Sequence, residues 1–87
     1  MNEKNTKSFN IMQSMINHLN KTLFAGKNYK LTLEAKRESM NWYRYYVVVN
    51  TSVLVGNKNT YERRIAYSGR PEAVIGYLQG LQDSMSL

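Results

Sequence analysis

The sequence predicts an α+β fold of order αβββα, a three-stranded antiparallel sheet with two helices packed on one face. Three observations predict it. Residues 41–68 hold two β-rich runs separated by Gly56, Asn57, Lys58 and Asn59. Residues 28–37 alternate apolar and polar side chains, the period of a strand with one buried face. At either end lies a segment whose apolar residues recur at three- and four-residue spacing, the period of an amphipathic helix.

The first helix is expected over residues 9–24, with Met12, Met15, Ile16, Leu19 and Leu23 on its apolar stripe and Ser8 as N-cap. Gly26 is expected as the left-handed residue that ends it. In the first strand Tyr29, Leu31, Leu33 and Ala35 face the helices, and Lys30, Thr32, Glu34 and Lys36 face away. A short polar connection over 37–41 leads into the second strand. There Trp42, three tyrosines and three consecutive valines favour a pleated surface and disfavour a helix, where β-branched side chains lose χ1 freedom. A bulge is expected at Asn50, Thr51 and Ser52 before Val53. Gly56 and Asn57 tolerate the positive φ of a tight hairpin turn. Over 60–68 the strand returns with Tyr61, Arg63, Ile65 and Tyr67 expected toward the core, and Thr60, Glu62, Arg64 and Ala66 away from it. A second helix opens near Arg70, with Pro71 in its first turn, Glu72 at the positive end of the dipole, and Val74, Ile75, Leu78 and Leu81 as its stripe. Residues 1–87 are expected to form one domain, with 1–7 and 83–87 fraying.

Composition excludes much chemistry. There is no cysteine, hence no disulfide and no thiolate metal site, and the single histidine, His18, has no second histidine to join it. The carboxylates Glu34, Glu38, Glu62 and Glu72 show no acid-rich cluster, and no serine has an identifiable base and orienting residue. No enzymatic activity, cofactor or metal is expected. No apolar run approaches a membrane span, so a soluble, cytoplasmic protein is expected. Twelve Lys and Arg against six acids give a formal charge of +6, which favours an anionic partner.

Two groups of candidate residues follow. Lys30, Lys36, Arg37, Arg44, Tyr46, Arg63 and Arg64 are candidates for contact with a partner or a nucleic acid, since basic side chains track phosphates and aromatic rings stack on bases. Trp42, Tyr43, Tyr45, Gly76, Tyr77 and Gly80 are candidates for a protein interface. The glycines are four apart on the second helix, a spacing that suits close backbone approach by the first helix or by a partner protein, and Tyr77 lies beside them. The hairpin has more apolar surface than one helical layer needs: Trp42, Tyr46 and Val48 lie opposite Tyr43, Tyr45, Val47 and Val49, so one of the two sets is expected to face away from the helices as an exposed patch that supports a homodimer.

The order helix, three strands, helix is shared with double-stranded RNA-binding domains, and the resemblance is one of topology. That family has a lysine-rich start to its last helix, whereas Arg70, Pro71, Glu72 and Ala73 supply one base and one acid here. From 28 to 81, the segments NYKLTLEA, YYVVVN, NTYERRIAYSG and PEAVIGYLQGL resemble small accessory proteins of phages and mobile elements of Gram-positive bacteria, including small anti-CRISPR proteins. DNA-mimicking inhibitors of that class are acidic and this chain is basic, so no inhibitor residue carries over. The resemblance implies a non-enzymatic accessory protein that binds and modulates a host protein or nucleoprotein complex as an antidefence inhibitor. The alternative is a nucleic-acid-binding module that uses the basic, aromatic sheet face on RNA or DNA.

Overall fold

A computed structural model describes residues 7–40 and 42–84. Its elements are α1 (Lys7–Lys21), β1 (Tyr29–Ser39), β2 (Trp42–Val55), β3 (Lys58–Gly69) and α2 (Pro71–Ser84). The strands form one antiparallel sheet in the order β1-β2-β3, so the expected αβββα fold is the one observed. Lys7, Asp83 and Ser84, expected to fray, are helical, and the rest of the two expected frayed ends lies outside the described residues.

Both helices cover one face of the sheet. Met12, Ile16 and Leu19 of α1 and Val74 and Leu78 of α2 meet Leu31, Tyr45 and Val47 in a continuous core. Leu33, Ala35, Val49 and Tyr67 pack around it. Asn20 ties α1 to the sheet, its amide nitrogen donating to the Leu31 carbonyl at 2.9 Å and its oxygen accepting from the Leu31 N–H at 2.9 Å. The outer edge of β1 thus receives at Leu31 the backbone partners that an edge strand otherwise lacks.

Several boundaries differ from expectation for local reasons. The helix begins at Lys7, so Ser8 sits inside its first turn rather than capping it. It ends at Lys21, and the chain winds through tight turns to Gly26, whose φ is +75°. Gly26 has the left-handed backbone expected of it, but it serves the turn closed by Lys27 N–H to Phe24 C=O, not the helix end. The hairpin turn is only two residues, Gly56 and Asn57, and Gly56 alone has positive φ, +62°. Glycine in the first central position with a negative φ after it is the pattern of a II′ turn. At the start of α2, Val74 N–H donates to the Arg70 carbonyl, so Arg70 takes the cap position and Pro71 the first helical one.

The sheet's irregularity is the main correction. Asn50, Thr51 and Ser52 carry no bulge and pair without interruption. The extra residue is Ala66, between Tyr67, which pairs with Val47, and Ile65, which pairs with Val48. A one-residue insertion shifts the facing of everything beyond it. Tyr67 therefore faces the helices as expected, but Ile65, Arg63 and Tyr61 face the open side, and Arg64 and Glu62 the helix side. A second shift lies between Arg37 and Ser39.

The hairpin outruns its support. Asn28 is the last residue before β1 to bond to it, through Ser52, so residues 53–61 form a two-stranded arm with no third strand beside it. The molecule measures 46 × 32 × 18 Å, and its radius of gyration is 14.3 Å, against roughly 12 Å for a compact chain of this length.

Candidate functional site

The open sheet face is built from the alternate residues of three strands. By register Lys30, Thr32, Glu34 and Lys36 of β1 stand beside Asn50, Val48, Tyr46 and Arg44 of β2. Ile65 and Arg63 of β3 stand beside Val48 and Asn50 on the other side. Lys30, Lys36, Arg44, Tyr46 and Arg63 thus share one face. Arg64 does not share it, a consequence of the Ala66 insertion.

An ion pair crosses the middle of this face. The guanidinium of Arg63 forks onto the carboxylate of Glu34, Nε donating to Oε2 at 3.1 Å and Nη2 to Oε1. The two residues belong to the outer strands, whose separation is about 9.5 Å, two strand spacings. Their partners on β2 are Asn50 and Tyr46, so the pair must span the strand at Val48. This accounts for an otherwise odd fact: Val48 is 0% exposed, yet it is not part of the core beneath the helices. The stem of Arg63 and the Glu34 side chain roof it, the familiar use of long charged side chains as apolar cover. Of the two sets, Trp42, Tyr46 and Val48 are the one that faces away from the helices, but they form no exposed patch: Val48 is covered, and Trp42 and Tyr46 are half-buried.

Trp42 organises the far end of the face. The guanidinium carbon of Arg70 lies 4.7 Å from the Trp42 ring centroid and that of Arg44 lies 5.4 Å from it. Arg44 Nε also donates to Glu38 Oε1 at 3.2 Å. Lys36 stands next to Arg44 by register. Two guanidinium groups thus flank one indole, with Lys36 and Glu38 beside one of them, Arg44. Each cation–π contact at an exposed site contributes about 0.5–1 kcal/mol and holds a guanidinium plane in place. Arg70 is not among the site residues that the sequence predicts. The signal for it was the antiparallel register itself: Tyr45 pairs with Gly69, so the next step brings Arg70 toward Arg44.

The remaining candidates lie apart from this cluster. Arg37 turns back to close the β1–β2 connection, donating to the carbonyls of Ser39 and Met40 at 3.2 and 3.4 Å. Lys30 caps the turn before β1 through the carbonyls of Phe24 and Lys27. Tyr45 is 3% exposed, and Tyr43 packs on the core beside it, so neither ring lies on the open face. Tyr77 stacks on Tyr67 with centroids 4.6 Å apart and planes 8° from parallel, which places it in the packing between α2 and β3. Gly76 and Gly80 are exposed, and a Cβ on either would meet nothing within 4 Å, so among the described residues no backbone outside α2 approaches them.

His18 is exposed on α1 and borders an open groove shared with Ile11, Met15 and Gln82. Among the described residues no group of three or more His, Asp or Glu comes together, and no helix is long and apolar enough to cross a membrane. The chain matches no protein-family model, and no curated protein and no solved structure is significantly similar to it.

Proposed function

We propose that this chain is a non-enzymatic accessory protein that docks a nucleic-acid backbone, free or within a nucleoprotein complex, on the open sheet face. The observation that carries the reading is the placement of Arg44 and Arg70 on Trp42, with Lys36 next to Arg44 by register. Glu34 is neutralised by Arg63 and Glu38 by Arg44, so the cationic surplus falls at that end of the face. Guanidinium planes steadied by an indole need little ordering to accept phosphate oxygens in a forked geometry. Half-buried Tyr46 offers an aromatic edge beside them for a base. The phage or mobile-element setting, and inhibition of a host defence complex as the outcome, rest on the resemblance of the segments from 28 to 81.

Trp42 is the sole tryptophan, so its fluorescence reports on this site without a label. Titration with single- and double-stranded RNA and DNA is expected to change the emission and to weaken with salt, each phosphate contact adding about 0.7–0.9 to the log–log slope. Arg70→Ala and Lys36→Ala are each expected to reduce that slope by about one contact. No binding of any nucleic acid at low salt and micromolar protein would overturn the reading.

A second reading, a host protein as partner, is favoured by a separate observation: Leu54, Val55 and Tyr61 are exposed together on the arm. Pull-down with and without nuclease separates the two, because capture through the arm survives nuclease and is lost in a Leu54→Ser, Tyr61→Ser variant.

A further inference from the structure

On the helix side of the sheet, away from the face just described, a cleft of about 330 Å³ opens between the turn after α1, the three strands and the end of α2. That volume lies at the small end of the roughly 300–1,000 Å³ of small-molecule sites. One wall is Phe24 set edge-on to Tyr29 at 5.3 Å. Another is Tyr77, held in place by its stack on Tyr67. Ala66, the inserted residue of β3, lines the cleft with no more than a methyl group.

One lining residue is charged, Arg64. Among the described residues it has no hydrogen-bond or ion-pair partner, and Glu62, two positions along the same strand, makes no ion pair with it. An apolar cleft with a single uncommitted guanidinium at its wall has the two features of a site for an amphipathic monoanion. The apolar body loses water contact against the aromatic and aliphatic walls, and the planar head receives the forked donors.

We infer that this cleft binds a small monocarboxylate with an apolar body, of the class of medium-chain fatty acids and aryl carboxylic acids, with Arg64 holding the carboxylate. Binding here is independent of the open face and does not require the proposed docking of nucleic acid.

The probes are octanoate and naphthoate, with octanol and octylamine as controls that keep the body and change the head. In NMR titration of the full chain, octanoate or naphthoate is expected to shift the amides of Thr51, Arg64, Ala66 and Leu81 and to leave those of Lys36 and Arg44 in place. Octanol and octylamine are expected to bind at least ten-fold more weakly. Arg64→Gln is expected to lose ten-fold or more for the carboxylates and nothing for octanol. Ala66→Leu, which fills the cleft, is expected to abolish binding of every probe, with far-UV circular dichroism confirming that both variants fold. Carboxylate binding of equal strength in Arg64→Gln, or shifts away from the cleft, would overturn the inference, as would no binding at millimolar probe.

Discussion

The two ends of the hairpin are made of similar residues and meet different fates. At its base, Val47 and Val48 are both fully buried, one beneath the helices and the other beneath the Arg63–Glu34 pair. In the arm, Leu54 is 69% exposed, Val55 61% and Tyr61 75%. The strand is continuous, the pairing is unbroken over residues 48–55, and the residue types are alike. What differs is what lies beside and above: a third strand and two helices at the base, neither at the arm. A valine in a strand contributes what its surroundings take from water. The base is thus the part that stabilises the fold, and the arm is the part whose apolar side chains stay in contact with water.

The largest test of this contrast is a pair of truncations in one strand. Val47→Ala is expected to cost about 2 kcal/mol, from two lost carbons plus a residual cavity. Val55→Ala should stay within about 0.5 kcal/mol. Urea denaturation measures both, and equal costs would mean that the arm is covered in solution.

Glycine substitutions sharpen the point at about half that size. Gly56 holds φ at +62° at the tip of the arm, so Gly56→Ala strains the turn by about 1 kcal/mol. If the arm opens separately from the base, hydrogen exchange over residues 53–60 should speed about five-fold while the global urea midpoint stays put. A lowered midpoint would show that arm and base unfold together. Gly76→Ala carries the opposite sign, since Gly76 is helical, exposed and free of neighbours. It should stabilise the protein by about 0.5–1 kcal/mol unless a partner packs there.

A smaller effect probes the roof over Val48. Arg63→Ala and Val48→Ala are expected to be non-additive, with a coupling energy of about 0.5 kcal/mol or more in a double-mutant cycle, because each removes part of the same packed unit. The exposed ion pair by itself accounts for about 0.2–1 kcal/mol. Additive losses would mean that Arg63 covers nothing.

The weakest expected effect is self-association through the arm. Sedimentation at hundreds of micromolar should show a species heavier than 10.1 kDa, reduced by the Leu54→Ser, Tyr61→Ser variant. A single monomeric species would leave the arm to a different partner.

The element order and most of the boundaries were legible in the sequence, because helix stripes, strand alternation, the Gly56 turn and Pro71 are local signals that act within a few residues. The same local signals brought Lys36, Arg44, Trp42 and Tyr46 to notice. Only the tertiary structure decided which way the far part of β3 faces. One inserted residue, Ala66, exchanged Arg63 with Arg64, placing one across Val48 and the other in the cleft. Alternation is indifferent to that choice, since both residue sets of β3 mix apolar and charged side chains, and a shift of one exchanges them. The pairing of Glu34 with Arg63, 29 residues apart, and the approach of Arg70 to Trp42 depend likewise on strand register, a long-range property that no local run of the chain encodes.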